Sequence, residues 1–398
     1  MSIIHEKVNQ AVEILKEQDT DLWLTFVRET SGVRDPALDL LLGPHDLTWQ
    51  SALILTSSGE KLAIVGNLEK EAVERLGVYD RVIGYDTAMR NILKDTLTKL
   101  DPREIAINSS RDNVHADGLT HAMYEELLEI LNGTPYGRRL VSAGALIGAL
   151  RGRKTETEQS HIRQAVAITD EIFQAAFGHI RAGMTEIEVA EWMQAEVKAR
   201  GLELAWPDGN CPAVNFGPDS PTGHSGPTQI KLEPGHLLHF DFGVKYEGFC
   251  SDIQRVAYLL KPGETRAPAP VQRGFDVLRE AIEKARLAMQ PGVTGNSIDV
   301  IAREIVTGAG YPNYMHALGH QVGRMVHDGG ALLGPLWEKY GNAPLHKLEA
   351  GQVFTIEPGL DVPGFGHLGL EEDVLMTAQG AEYLGPPQTG IMLLSARQ

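Results

Sequence analysis

Leu237-Leu-His-Phe-Asp-Phe-Gly-Val244 runs through Lys245-Tyr-Glu-Gly248 into Phe249-Cys-Ser-Asp-Ile-Gln-Arg-Val256. Two apolar segments flank a short polar one that ends in glycine, which predicts strand, four-residue turn and strand. If Val244 pairs with Phe249, Asp241 falls directly opposite Asp252, with Cβ atoms about 5 Å apart. Like charges so placed weaken a sheet. Leu238, Phe240, Phe242 and Ile253 surround them, so a solvated acidic face is a poor explanation, and a cation between the carboxylates removes the conflict.

A second stretch repeats the pattern. Gln352-Val-Phe-Thr-Ile-Glu-Pro-Gly-Leu360 leads through a Pro/Gly-rich turn at 363–366 to Leu368-Gly-Leu-Glu-Glu-Asp-Val-Leu-Met376. Glu357 and Glu371 are symmetric about Gly364, so this hairpin also predicts two carboxylates face to face. Two such pairs in one chain suggest a polycarboxylate metal centre, subject to any bulge that shifts a register. Between the hairpins lies His316-Ala-Leu-Gly-His-Gln-Val-Gly-Arg-Met-Val-His327-Asp328. Gly319 and Gly323 argue against a helix, and hence against a helical zinc pair of His316 and His320. One imidazole with four carboxylates suits Mn²⁺ better than a structural zinc. Five such ligands can hold two ions roughly 3.5–4 Å apart.

Outward from the hairpins, Glu156 to Ile180 reads as a long helix. It follows a charged stretch, Arg151-Gly-Arg-Lys-Thr-Glu-Thr-Glu158, taken as the exit from a first domain. Gly183-Met-Thr185 and Gly292-Val-Thr294 each open a helical pattern that stops at a glycine, Gly201 and Gly310, at a constant offset of 109 residues. Threonine N-caps, a capping box from Thr185 to Glu188 and the glycine stops predict a duplicated half-domain. Further upstream, Ile4, Val8, Val12 and Leu15 fall on one helical face. Leu22–Val27, a hairpin of Ser51–Thr56 with Lys61–Val65, and Glu104–Ile107 read as strands. A compact α/β domain without a chemical motif is the expectation there.

Composition narrows the function. With 36 Lys and Arg against 53 Asp and Glu, the net charge of −17 disfavours nucleic acid as a partner. No apolar run is long enough for a membrane span, and Met1–Thr20 has no secretory apolar core. Two cysteines, Cys211 and Cys250, build no disulfide framework, so a cytoplasmic location is expected. The GxGxxG match at 364–369 joins two strands instead of opening a helix, which rejects a dinucleotide site.

At these residues the sequence resembles the pita-bread metallopeptidases of the prolidase, Xaa-Pro aminopeptidase and creatinase branch. The matching motifs are His239-Phe-Asp-Phe-Gly243, Ser251-Asp-Ile-Gln-Arg255, His316-Ala-Leu-Gly-His320, Val326-His-Asp328, Ile356-Glu-Pro-Gly359 and Leu370-Glu-Glu-Asp-Val374. The resemblance implies an α/β (α+β) chain with a creatinase-type N-terminal domain at 1–150. A pita-bread catalytic domain with a pseudo-twofold repeat follows at 151–398. It implies Asp241, Asp252, His320, Glu357 and Glu371 as ligands of two divalent metal ions, Mn first with Co or Zn as alternatives. It also implies catalytic roles for His224 and His327, and a place for His316 in a proline pocket. The implied reaction is hydrolysis of Xaa-Pro bonds by a metal-bridging hydroxide, with Glu357 relaying the proton.

A dipeptidase is preferred to an aminopeptidase acting on longer peptides. The preferred partner is therefore a small peptide with proline second, and a homodimer is expected. A metal-free creatinase-like amidinohydrolase and a non-enzymatic binding module are the remaining alternatives. Both typically lose ligands that this chain keeps. Two positions depart from the family pattern: Gln254 stands where Thr is common, and Gly369 where Arg is common. Arg28, Arg34 and Arg324 are the candidate substitutes for that cation.

Overall fold

The computed structural model describes residues 2–223 and 225–395. The chain divides into two compact units, 1–151 and 152–398.

In the first unit six strands form one mixed sheet: β1 (Leu22–Val27), β2 (Ser51–Thr56), β3 (Lys61–Gly66), β4 (Arg81–Tyr85), β5 (Ile105–Ile107) and β6 (Leu140–Ser142), in the order β4-β3-β2-β1-β5-β6. β1 and β2 are buried along their whole length. Alternation explains this, because successive side chains point to opposite faces. Leu22, Leu24 and Phe26 enter one apolar core, and Trp23 and Val27 enter another on the opposite face. The helix Ile3–Glu17 buries Val8, Ala11, Ile14 and Leu15 in the second of these cores, with Ile4 packed at its margin, and Val12 is buried as well.

The second unit starts with the helix Glu156–His179, whose N-terminus carries a capping box of Thr155 and Glu158. β7 (Glu203–Leu204) and β8 (Ala213–Phe216) follow. The first acidic hairpin then comprises β9 (Leu237–Phe242), β10 (Val244–Tyr246), β11 (Phe249–Cys250) and β12 (Ile253–Leu260). β13 (Gly319–His320) pairs with β14 (Leu332–Leu333). The second acidic hairpin holds β15 (Val353–Ile356), β16 (Gly359–Val362), β17 (Gly366–Gly369) and β18 (Glu372–Thr377). β19 (Gly380–Tyr383) and β20 (Met392–Ser395) complete the unit.

The duplication is visible in the backbone. Helices Glu186–Ala199 and Gly295–Gly308 are each 14 residues long and keep the 109-residue offset. Their N-caps make matching isolated bridges, Thr185 to Lys231 and Thr294 to Lys347. Gly183 and Gly292 donate to the carbonyls of Leu232 and Leu348, both at 2.8 Å. The caps differ in chemistry. Thr185 forms the capping box with Glu188, whereas the Thr294 side chain makes no cap bond, so the second of the two expected threonine caps is one of position only.

The register of the first hairpin corrects the sequence expectation. Its turn is the two residues Glu247 and Gly248, both left-handed (φ 48° and 81°), between the paired Tyr246 and Phe249. Primed turns of this kind match the twist of the flanking strands. Asp241 therefore pairs with Gln254, and Asp252 lies two positions nearer the turn. A shift of two keeps every side chain on its own face, so the two aspartates remain neighbours, diagonal instead of directly opposed. Gly243 permits the chains to close here: a Cβ on it would stand 2.0 Å from the Ser251 carbonyl oxygen.

In the second hairpin the expected register holds. Ile356 pairs with Glu372, and Gly359 with Gly369. Glu357 and Glu371 occupy the break between these two ladders, opposite one another.

Candidate metal centre

His320 lies on β13, and Gly319 lets that strand press against β15. A Cβ on residue 319 would stand 2.0 Å from the Thr355 carbonyl oxygen. The Thr355 hydroxyl then serves both sides, accepting the His320 N–H at 3.1 Å and donating to Glu357 Oε1 at 3.3 Å. His320 Nδ1 sits 3.3 Å from the Gln321 carbonyl, which can only accept, so the proton is on Nδ1. Its bare Nε2 faces acids, 3.5 Å from Asp252 Oδ2 and 3.4 Å from Glu357 Oε1. One ligand atom each of Asp252, His320 and Glu371 lies within 4.8 Å of the others. Asp241 and Asp252 stand close enough to shift each other's titration.

The electrostatics of this cluster are those of a cation site. Burial pushes Asp241 up to about 6. Burial, with the neighbouring carboxylates, drives Asp252, Glu357 and Glu371 well above the usual range. Burial, helped by His327, holds His320 down to about 3, so its imidazole is neutral. Asp241 Oδ1 and Glu371 Oε2 are buried with no hydrogen-bond partner. An imidazole lone pair aimed at carboxylates, beside orphaned carboxylate oxygens, is unfavourable in a low dielectric. Protons or divalent cations relieve it, and this oxygen-rich donor set fits the latter.

His327 packs edge-on against His320, with ring centroids 4.2 Å apart. Its loop is pinned by a fully buried ion pair. Lys154 Nζ lies 3.0 Å from Asp328 Oδ2, which also accepts the Arg324 N–H. His316 is half-buried. Asp299 and Arg303 order its segment: Arg303 donates to the carbonyls of Tyr314 and His316, and Asp299 accepts the Leu318 N–H. His224 lies outside the described residues. The buried carboxylate of Glu186 ties together both flanks of its loop, accepting from Phe216, Ser220 and Thr228.

Some participants were not singled out from the sequence. Asp373 accepts the Asp252 N–H at 3.0 Å and is pushed by burial to about 8. Strand alternation is the signal that could have found it, since 371 and 373 share a face while Glu372 turns away to Arg255 and Arg279. The proposed substitute cations are engaged elsewhere: Arg28 with Glu126, Arg34 with Asp39 and Asp46, and Arg324 with Glu158. At Gly369 a Cβ would meet Gln254 Oε1 and His239 Nε2, which hydrogen-bond to each other at 2.9 Å.

Residues 160–378 match the model of metallopeptidase family M24. The chain belongs to that family. An uncharacterized peptidase of Staphylococcus saprophyticus is 30% identical to this M24 chain over 385 residues, covering 95% of it and 98% of the relative. The prolidase from Pyrococcus horikoshii superposes with a TM-score of 0.69 at 25% identity, over 96% of this chain and 99% of that one. A Xaa-Pro dipeptidase from Bacillus anthracis gives 0.73 at 22% identity, over 98% and 100%. The M24 chain thus has the mixed α/β pita-bread fold of the prolidase branch, and it is a metallopeptidase. No helix among the described residues is long and apolar enough to cross a membrane.

Proposed function

We propose that this metallopeptidase is a dinuclear Xaa-Pro dipeptidase. The observation that carries the reading is a group of mutually interacting carboxyls, Asp241, Asp252, Glu357 and Glu371, beside one neutral imidazole whose bare Nε2 faces Asp252 and Glu357. Asp241, Asp252, His320, Glu357 and Glu371 would hold two divalent ions, with Mn²⁺ preferred over Co²⁺ or Zn²⁺. Bound there, such ions supply Lewis acidity and bring the pKa of water toward neutrality.

The chain's own groups account for the rest. Glu357, whose pKa is raised by burial, takes a proton on its carboxylate and returns it to the leaving prolyl nitrogen. His327, packed on His320, and His224 donate hydrogen bonds to oxygen as charge develops there. His316 lines the pocket for the pyrrolidine ring. A bond to proline has no amide N–H, so recognition has to rest on the shape of that ring and on groups beyond it. We assign 1–150 as the creatinase-like domain and 151–398 as the catalytic domain, in a cytoplasmic homodimer.

The test compares Ala-Pro with Ala-Pro-Ala hydrolysis by metal-loaded and chelated protein, alongside elemental analysis. Cleavage of Ala-Pro that vanishes with the metal supports the reading. Efficient tripeptide cleavage would replace dipeptidase with aminopeptidase, and activity surviving complete metal removal would sink the metallohydrolase mechanism.

A further inference from the structure

Asp252 and Glu371 reach the acidic cluster from separate sheets. β12 begins one residue after Asp252 and lies in the four-stranded sheet β20-β12-β9-β8. β18 begins one residue after Glu371 and lies in the three-stranded sheet β15-β18-β19. One ligand atom of each acid nevertheless lies within 4.8 Å of the other. The seam between the sheets is held at this point by named groups. The Glu371 N–H donates to the Gln254 carbonyl at 3.4 Å. The Arg255 guanidinium donates from Nη1 to that carbonyl and to the Glu371 carbonyl, each at 3.0 Å. In the other direction, Asp373 Oδ2 accepts the Asp252 N–H at 3.0 Å. One acid of each hairpin is thus tied by its backbone to the opposite sheet.

Fold stability alone is a poor account of these side chains. Asp373 is buried, its Oδ2 holds the Asp252 N–H, and its Oδ1 has no hydrogen-bond partner. Burying a carboxylate for one backbone contact is unfavourable, and an apolar residue would suit a buried strand better. Arg255 is also buried, on the face of β12 opposite to Gln254, and Glu372 meets its charge at 3.2 Å. Glu372 in turn accepts the Gln388 N–H at 2.8 Å, and the Gln388 amide grips both the N–H and the carbonyl of Val256. The guanidinium therefore stands near a cation site with its own charge compensated and its fork fixed. A lysine has no such fork.

We propose that Asp373 and Arg255 are positioning residues that set the separation of the Asp241–Asp252 pair from the Glu357–Glu371 pair, and through it the spacing of the two metal ions. This rests on the dinuclear reading. Two-metal hydrolases hold their ions roughly 3.5–4 Å apart, so a seam that slips by a fraction of that distance uncouples them. Asp373 acts here as a hydrogen-bond acceptor, neither as a charge nor as a ligand, which sets it apart from the four acids of the cluster.

The experiment measures Mn²⁺ binding by titration and the electron paramagnetic resonance spectrum of Mn²⁺-saturated protein, for wild type, Asp373→Asn, Asp373→Leu and Arg255→Lys. Urea unfolding of the metal-free proteins and kcat and KM on Ala-Pro are measured in parallel. Wild type should take up two ions and give a spin-coupled spectrum. Asp373→Asn keeps an acceptor oxygen, so both ions and their coupling should persist. Asp373→Leu removes the acceptor. Its Mn²⁺ affinity and kcat should fall about 10–100-fold with KM little changed, and the coupled signal should give way to that of isolated Mn²⁺. Arg255→Lys keeps the charge but should change the spectrum in the same sense. A purely structural role predicts a lower urea midpoint with the coupling intact, and that result in folded Asp373→Leu would overturn the assignment. Loss of the second ion in Asp373→Asn would overturn it too, since that variant retains the acceptor. Should Arg255→Lys fail to fold, the two Asp373 variants decide alone. Wild-type protein that binds a single ion, or two without coupling, would overturn the dinuclear reading itself, and the assignment with it.

Discussion

Glu357 and Glu371 face each other in the gap between two ladders of one hairpin, with Ile356–Glu372 pairing on one side and Gly359–Gly369 on the other. Their opposition follows from register. Replacing either acid would change charge without needing to move backbone, which makes the cluster open to clean dissection.

Asp252 is the acid that meets His320, Asp241 and the Asp373-bound backbone at once. Asp252→Asn should lower turnover by well over about 100-fold, since even groups that only orient metal ligands are worth 10–100-fold. Removing one buried charge from a repelling cluster should leave the metal-free protein folded, with an unchanged circular dichroism spectrum. A variant with wild-type turnover and metal content would refute its role as a ligand.

The proton balance of the metal-free protein should be visible in its stability. Asp373 at about 8, and Asp252, Glu357 and Glu371 driven well above the usual range, bind protons when folded that the unfolded chain releases above about pH 4. Their folded pKa values are raised, so the stability they contribute is lost as pH rises through those values. His320 works in the opposite sense, but only between about 3 and 6.5. Between about pH 6.5 and 8.5 the melting temperature of chelated protein should therefore fall, and saturating Mn²⁺ should reduce the slope. A flat metal-free profile would contradict the buried-acid account.

Gly319 is required by its neighbour's backbone. Gly319→Ala would set a methyl 2.0 Å from the Thr355 carbonyl oxygen, which cannot swing aside as a side chain could. The expected cost is about 1–3 kcal/mol in urea unfolding. Metal affinity, read by titration, should drop about 10–100-fold because His320 and Glu357 share Thr355.

The Lys154–Asp328 pair is 1% and 2% exposed. Lys154→Met leaves a buried carboxylate without its cation and should cost about 3–5 kcal/mol in urea unfolding. Adding Asp328→Asn should recover part of that loss, because the charge that needed compensation is gone. A double variant no more stable than the single one would show that the loss arises from packing instead of charge.

Much of this was legible in one dimension because hydrophobic periodicity and turn residues act locally. β1 and β2 fall on the predicted spans, and the 14-residue helices follow Thr and precede Gly in both halves. The first hairpin shows the limit. Lys245 and Tyr246 are polar or amphipathic enough to read as turn, yet they extend the strand, because Glu247 and Gly248 alone supply the left-handed conformations a two-residue turn needs. The error of two positions was harmless to the site because strand faces repeat every two residues.

The sequence by itself determined which faces the acids share, since strand alternation and the symmetry about Gly364 are local consequences of the order of residues. It also determined the duplicated helices, whose caps are written beside them. Only the tertiary structure decided that His320 turns a bare nitrogen toward Asp252 and Glu357, and that Lys154 is spent on Asp328. Those contacts join residues far apart in the chain, or depend on a ring's orientation. Burial, and with it the charge each group carries, exists only once the segments have packed.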